Sequence, residues 1–168
     1  NNQIIESSID EQILKRLNTN YFSQAFDILR ELNREKLNLI SYSDFTIIKT
    51  NKNTKFPIHD DTPDKLLSGV IYLYPERNKG TIFYNKKSGE GKNEINWKIN
   101  RAVFFSRKER MTWHSYQGDK INDRIALVFN LMTERKNIRK VCQIEKKNYF
   151  LCILRFVINP YLYRFFKI

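Results

Sequence analysis

Residues 68–85 of the chain read SGVIYLYPERNKGTIFYN and hold two short β-rich runs around a joint of turn-forming residues. Both runs are rich in β-branched and aromatic residues, which are enriched in strands. The joint contains proline, asparagine, lysine and glycine, and proline, asparagine and glycine are typical of turns. This stretch therefore predicts two neighbouring strands with no helix between them.

The same pattern continues on both sides of this stretch. Further short strand-like runs are DFTIIKT from Asp44, INWKI from Ile95, RAVFFS from Arg101 and RIALVFNLM from Arg124. Six or more short strands without helical periodicity between them predict an antiparallel sandwich or barrel, and they argue against a parallel α/β sheet. A jelly roll, or double-stranded β-helix, is the candidate architecture.

Helical patterns precede this β-rich region. One apolar stripe begins at Ser8-x-x-Glu11, which resembles a capping box, and a second runs from Tyr21 to Leu32. We therefore predict a mainly β fold flanked by helices, with two amphipathic N-terminal helices packed on the strands.

The chain of 168 residues fits one domain. We divide it into N-terminal helices over 1–43, a double-stranded β-helix core over 44–133 and a C-terminal helical extension over 134–168. The extension ends in the apolar and aromatic stretch YFLCILRFVINPYLYRFF, whose longest unbroken apolar run is too short to span a bilayer. It either covers the sheet or forms a homodimer contact, or it is an interfacial helix that touches acidic lipid.

The composition is basic, with 30 Lys and Arg residues against 18 Asp and Glu residues and a net charge of +12. Such a charge suits anionic partners such as nucleic acid, acidic lipid or anionic small molecules, but a solvated cationic surface explains most of it. The two cysteines, Cys142 and Cys152, form no disulfide framework and lack the spacing of a metal-binding pair. We predict that they are core thiols and that the protein is cytoplasmic.

The two histidines of the chain, His59 and His114, are the candidate metal ligands. His59 and Asp61 are two residues apart, and on an extended segment such side chains point to the same face. A second imidazole from a distant strand would complete a set of two histidines and one carboxylate, which suits ferrous iron and leaves coordination positions open. We predict His59, Asp61 and His114 as the metal ligands and catalytic centre, and Asp60 as a solvated or supporting carboxylate.

From about Phe45 to Met132 the sequence resembles the 2-oxoglutarate and iron(II)-dependent dioxygenases, particularly their prolyl-hydroxylase-like branch. The resemblance rests on the ordered segments HDD at 59–61, GVIYLYP at 69–75, NKGTIFY at 78–84, NRAVFFS at 100–106 and WHSYQGDKINDRIALVF at 113–129. It implies Fe(II) as the metal, with 2-oxoglutarate and O2 as cosubstrates. The implied reaction hydroxylates an unidentified substrate and releases succinate and CO2.

The resemblance also implies two residues that hold 2-oxoglutarate. Arg124 lies on the strand after the distal histidine, where its planar charged fork suits the far carboxylate of the cosubstrate. Tyr72 falls where prolyl-hydroxylase-like members place a tyrosine that hydrogen-bonds the same carboxylate. The alternative for Tyr72 is a structural core tyrosine.

The substrate and two other functions stay open at this point. Asn130 stands where the nucleic-acid demethylase branch carries a second arginine, which argues against base repair and against nucleic acid as a substrate. A small molecule or a side chain remains, and it would be anionic if Arg107, Lys108 and Arg110 border the entrance. The other classes are a non-catalytic basic β-barrel module that binds an anionic ligand, and a nucleic-acid-binding protein.

Overall fold

The computed structural model of the chain describes residues 2–4 and 10–154. In chain order the elements are β1 (Asn2–Ile4), α1 (Glu11–Asn33), a 3₁₀ helix (Arg34–Leu39), β2 (Tyr42–Thr50), β3 (Lys55–His59), β4 (Lys65–Tyr74), β5 (Ile82–Tyr84), β6 (Asn93–Glu94), β7 (Ala102–Ser106), β8 (Trp113–Gln117), β9 (Arg124–Met132), a second 3₁₀ helix (Arg135–Asn137) and α2 (Ile138–Ile144). Residues 149–154 are also helical.

The strands form two antiparallel sheets. The larger sheet has the order β1-β2-β9-β4-β7, and the smaller has the order β3-β8-β5-β6. Residues of both sheets line one cavity, so the sheets face each other across it. The predicted fold class is confirmed: a double-stranded β-helix core flanked by helices.

Strand β9 lies at the centre of the larger sheet and organises both of its faces. It pairs with β2 along its whole length, from Thr50 opposite Arg124 to Tyr42 opposite Met132, and with β4 on its other side. Side chains alternate along a strand, so the apolar residues Leu127, Phe129 and Leu131 fall on one face. The opposite face belongs to the cavity, which Arg124, Ala126, Val128 and Asn130 line.

The main core lies between the larger sheet and α1. Ala25 and Leu29 of α1 are fully buried and share a cluster with Phe129 and Leu131 of β9. Phe45 packs edge-on against Phe129, with ring centroids 6.0 Å apart. The helix therefore covers the outer face of the sheet and leaves the inner face to the cavity.

The prediction of two N-terminal helices was wrong, because α1 is one continuous helix. The residues between the two apolar stripes include no glycine or proline, and the Thr19 hydroxyl donates to the Lys15 carbonyl within the helix. The predicted start was also wrong, since Asp10 is the N-cap and its carboxylate accepts from the backbone N–H groups of Gln12 and Ile13. Ser8 lies outside the described residues.

The predicted strand INWKI from Ile95 was also wrong, since β6 ends at Glu94. Trp97 is instead held over the core, where its ring stacks on Tyr72 with centroids 4.4 Å apart and its Nε1 donates to the Pro75 carbonyl. Asn100 then takes a φ of 62°, a left-handed conformation that interrupts an extended run.

Part of the C-terminal extension is described. Cys142 and Cys152 are buried together with Ile138 in a small cluster, as expected for core thiols. Residues 155–168 of the apolar tail lie outside the described residues, so its role as a covering helix, a dimer contact or an interfacial helix stays a prediction. Within residues 2–4 and 10–154, no helix has both the length and the apolar character needed to cross a bilayer.

We expect Leu29→Ala to lower the free energy of unfolding by about 2–5 kcal/mol, because it opens a cavity in the core under α1. Leu32→Ala is the matched control on the same helix, since Leu32 is 51% exposed, and its effect should stay within about 0.5 kcal/mol. Urea unfolding followed by circular dichroism measures both values. Equal losses in the two variants would contradict the docking of α1 through Leu29.

Candidate metal centre

A cavity of about 240 Å³ lies between the inner faces of the two sheets. Its lining includes the two histidines, Asp61 and Arg124, all four of which were singled out from the sequence. These residues come from β3, the turn after it, β8 and β9. The fold therefore brings together residues that are up to 65 positions apart in sequence (124 − 59).

The predicted ligands converge at one end of this cavity. One donor atom each from His59, Asp61 and His114 can be chosen so that all three lie within 4.8 Å of one another. The convergence follows from strand pairing, since His59 is the register partner of His114 and their ring centroids are 4.3 Å apart. Asp61 comes from the turn just beyond the end of β3, two residues after His59.

Both imidazoles are held in the tautomer that a metal ligand needs. Nδ1 of His59 lies 2.9 Å from the Pro57 carbonyl, and Nδ1 of His114 lies 2.9 Å from the Thr112 carbonyl. A carbonyl oxygen only accepts, so each Nδ1 carries the proton. Nε2 of each ring is therefore the atom left to face an ion, which is how protein frameworks orient metal-binding histidines.

Asp61 is held in its ionised form. Burial opposes ionisation, but the charge of the Lys65 ammonium and the hydrogen bonds from Ser68 and Lys65 outweigh it and lower the pKa of Asp61 to about 2. Lys65 Nζ lies 2.9 Å from one carboxylate oxygen and Ser68 Oγ lies 2.6 Å from the other. Because each carboxylate oxygen can accept more than one bond, both contacts leave room for an ion.

Burial also sets the charge of His114. Desolvation lowers its pKa, although the carboxylate of Asp61 opposes this effect. The imidazole is therefore neutral near pH 7, the form that coordinates metals. Phe105 packs against it with ring centroids 4.9 Å apart and shields one side of the ring.

The two ligand segments are tied together by Asp60. Its carboxylate accepts from the backbone N–H of Arg110 at 2.7 Å and from the Thr112 hydroxyl at 2.8 Å. Thr112 is also the residue whose carbonyl orients His114. Asp60 is only 3% exposed, so of the two roles predicted for it the solvated one was wrong and the supporting one fits.

A buried ionic cluster lies behind the ligand segment. Arg107 donates from Nε to the backbone carbonyl of Asp61 at 3.1 Å, from one terminal nitrogen to Glu145 at 2.8 Å, and from the other to Glu109. Lys36 also donates to Glu145, at 2.6 Å. Burial works to lower the pKa of Arg107, but the carboxylates of Glu145, Asp60 and Glu109 raise it overall.

This cluster corrects the predicted border of the entrance. Arg107 is fully buried, because it holds the metal-ligand segment from behind, and its prediction as an entrance residue was wrong. Lys108 and Arg110 are exposed. Their contribution to substrate choice stays a prediction.

The far end of the cavity holds a cation without an acidic partner. Arg124 is 8% exposed, its guanidinium lies 3.5 Å from the centroid of the Tyr116 ring, and its Nε makes no hydrogen bond. No ion pair among the described residues involves Arg124. Thr50, its register partner on β2, places a buried hydroxyl without a hydrogen bond in the same lining. A buried guanidinium and a free hydroxyl form a site for an anion.

Tyr72 lies near this end but its hydroxyl is used elsewhere. It accepts from the Thr81 backbone N–H at 2.8 Å and lies 3.1 Å from the Thr81 hydroxyl, while its ring stacks on Trp97. The tyrosine in direct contact with Arg124 is Tyr116. Binding of the cosubstrate by Tyr72 stays a prediction.

Several lining residues were not predicted as site residues: Thr50, Lys65, Ser68, Tyr116 and Asn130. Thr50 could not be found because its place depends on the register between β2 and β9. Asn130 could have been predicted from the sequence, since it is an even number of residues from Arg124 on the same strand and therefore points to the same face. Tyr116 could have been predicted in the same way, through its spacing of two from His114.

The sequence matches no protein-family model, and no curated protein matches it. Among solved structures, a prolyl-4-hydroxylase of Pseudomonas putida aligns with a TM-score of 0.53 and 14% identity over 79% of this chain and 71% of that one. A Trichoplax adhaerens prolyl hydroxylase, solved with a peptide fragment of the hypoxia inducible factor oxygen degradation domain, aligns with a TM-score of 0.54 and 17% identity over 73% and 59%.

The chain shares the fold of these two prolyl hydroxylases. The resemblance inferred from the ordered sequence segments is thereby confirmed at the level of the fold. The chain spans 59% of the length of the Trichoplax enzyme, so the activity and substrate of such an enzyme belong to the proposal below.

We expect Arg107→Met to destabilise the protein by about 3–5 kcal/mol, because it removes a buried cation that pairs with both Glu109 and Glu145 and leaves Lys36 as the cation on Glu145. Arg110→Met is the matched control, since the Arg110 side chain is exposed, and it should change stability by less than about 0.5 kcal/mol. Chemical unfolding of both variants provides the measurement. An unchanged midpoint for Arg107→Met would show that the cluster does not stabilise the ligand segment.

Proposed function

We propose that the protein is a 2-oxoglutarate- and Fe(II)-dependent oxygenase that hydroxylates a substrate with O2 and releases succinate and CO2. One observation carries the proposal: two imidazoles and one ionised carboxylate converge in the same cavity as a buried arginine that has no acidic partner among the described residues. A metal ligand set at one end and a carboxylate receptor at the other match a short diacid that chelates a metal.

The donor set fits ferrous iron. Two nitrogen donors and one oxygen donor on one side of an ion leave the other side open, and this arrangement is typical of non-haem Fe(II) oxygenases. When bound, the iron supplies activation of O2 and the oxidation of the cosubstrate. His59, Asp61 and His114 would hold it, and their single negative charge offsets half of the charge of the ion.

The role of Arg124 is to bind and orient the cosubstrate. Its guanidinium is fixed by the Tyr116 ring, so a carboxylate reaching the end of the cavity meets a cation that is already in place. Thr50 offers a hydroxyl from the neighbouring strand at the same level. Fixed donors of this kind cost little reorganisation on binding.

The role of the residues behind the ligands is to keep the donor atoms in position. Arg107 fixes the backbone of Asp61, and Asp60 joins the segment of His59 to that of His114 through Thr112. Such outer contacts keep ligands at coordinating geometry and raise metal affinity.

The reaction itself tests the proposal. We expect the wild-type protein with ferrous iron, ascorbate and 2-oxoglutarate to form succinate, and Asp61→Ala to form none, because it should bind iron more than about 100-fold more weakly. Asp123→Ala is the matched control, since that carboxylate lies on the surface beside Lys49. Calorimetry under anaerobic conditions measures iron affinity, and mass spectrometry measures succinate.

Two results would count against the proposal. If Asp61→Ala kept wild-type iron affinity, the metal site would be elsewhere. If the wild-type protein bound iron and 2-oxoglutarate but formed no succinate with any primary substrate tested, the alternative of a binding module would replace the oxygenase.

We expect Arg124→Met to weaken 2-oxoglutarate binding to the metal-loaded protein by at least about 30-fold, because a buried charge pair is lost. Arg110→Met removes an equivalent charge from an exposed position and should leave this affinity unchanged. Calorimetric titration with 2-oxoglutarate measures both. Equal affinities in the two variants would place the carboxylate receptor somewhere other than Arg124.

A further inference from the structure

A second polar group without a partner lies at the other end of β9. Asn130 is 2% exposed and lines the cavity, and its Oδ1 makes no hydrogen bond among the described residues. Its Nδ2 donates to Asp44 Oδ2 at 3.3 Å. Since a carboxylate cannot donate, this contact fixes the orientation of the amide and turns Oδ1 away from Asp44.

Asn130 lies at the level of the metal ligands, on the side remote from Arg124. It is the register partner of Ser68, whose hydroxyl donates to the carboxylate of Asp61. Arg124 and Asn130 are six residues apart on β9, which separates their backbones by about 20 Å at about 3.3 Å per residue. The cosubstrate receptor and Asn130 therefore occupy opposite ends of the cavity.

Carboxylates border the end where Asn130 lies. Asp44 contacts Asn130 directly, and Asp64 Oδ1 is buried without a hydrogen bond. Both lie close to the Tyr42 hydroxyl, whose pKa is raised first by burial and then by Asp64, Asp44 and Glu134. Glu134 pairs with Lys136, so we define the acidic rim as Asp44 and Asp64.

The acidic rim stands out against the charge of the whole chain, which is +12. Lys65 lines the cavity at this end, and its ammonium is already paired with Asp61 at 2.9 Å. The Asn130 amide oxygen lines the cavity, whereas the two carboxylates of the acidic rim lie outside that lining, and all three groups only accept hydrogen bonds. A substrate group that satisfies them must donate, and a positive charge adds attraction to the rim.

We propose that Asn130 and the acidic rim form the binding site for the primary substrate, and that this substrate presents an alkylammonium or guanidinium group beside the metal. The inference rests on the proposed function and goes beyond it, because it assigns a substrate class. Asn130 acts as a specificity-determining residue. The anionic substrate predicted from Lys108 and Arg110 is the competing outcome.

The test compares three blocked amino acids that differ only in the side chain. Nα-acetyl-lysine methylamide carries the ammonium, the norleucine analogue lacks it and ends in a methyl group, and the glutamate analogue carries a carboxylate. Each is titrated by calorimetry into the protein loaded with zinc, which is redox-inert, and with 2-oxoglutarate. We expect the lysine probe to bind at least about tenfold more tightly than the norleucine probe, the range expected for a hydrogen bond to a charged group.

Two variants locate the preference within the site. Asn130→Leu should remove most of it, because Leu has a similar volume but no acceptor. Asp44→Asn keeps an acceptor for the Asn130 amide, so this variant should fold even if Asn130→Leu does not. It should reduce the preference for the lysine probe over the norleucine probe about two- to fivefold, as expected for an exposed charge pair. Asp27→Asn, which removes an exposed carboxylate from α1, is the matched control and should leave the preference unchanged.

The outcomes separate this inference from the proposed function. Binding of 2-oxoglutarate without a preference for the lysine probe overturns the substrate assignment alone. A preference for the glutamate probe overturns it in favour of an anionic substrate. A lysine preference that survives both Asn130→Leu and Asp44→Asn overturns the location. Failure to bind 2-oxoglutarate would instead count against the proposed function.

Discussion

The register between β3 and β8 is the constraint on which the candidate site depends. It sets His59 opposite His114, and side chains opposite each other on one face of an antiparallel pair are within reach of a common ligand. A slip of one residue would turn one imidazole to the other face of the sheet. The pairing is short, with a register shift between Phe56 and His59, so contacts outside the sheet are needed to hold it.

Those contacts come from buried charges. Arg107, Glu145 and Lys36 are each almost fully removed from solvent, and burying unpaired charge would be costly, so the cluster is stable only while its members stay together. Arg107 also donates to the backbone carbonyl of Asp61, so the same cluster holds one of the metal ligands in place. The position of one ligand is thus linked to the docking of α2 and of the first 3₁₀ helix, which carry Glu145 at the C-cap and Lys36.

The sequence predicted most where the residue pattern was regular and the residue types were typical of a metal site. Short alternating runs predicted the strands, and two histidines in a fixed relation to an aspartate and an arginine predicted which side chains would meet. The extent of α1 was missed because two apolar stripes look like two helices when nothing marks the continuity between them. Arg107 was misjudged because it stands in a charged run with Lys108 and Arg110, and only the tertiary placement of Glu145 shows that its charge is compensated inside. Thr50 depends on strand register, which is a tertiary property.

Strand β9 also explains how one cavity can receive two different ligands. Its inward side chains run from Arg124 through Ala126 and Val128 to Asn130, so a cationic end and an acceptor end are separated by small apolar residues. The cation repels a second positive group and attracts a carboxylate, while the rim of Asp44 and Asp64 does the reverse. In the proposed function, a diacid is therefore directed to the Arg124 end, and a group that donates hydrogen bonds is directed to the metal end. The different chemistry of the two ends of β9 therefore favours one orientation for each ligand. At the Arg124 end a positive substrate group would meet a like charge, and at the Asn130 end a carboxylate would meet groups that only accept hydrogen bonds.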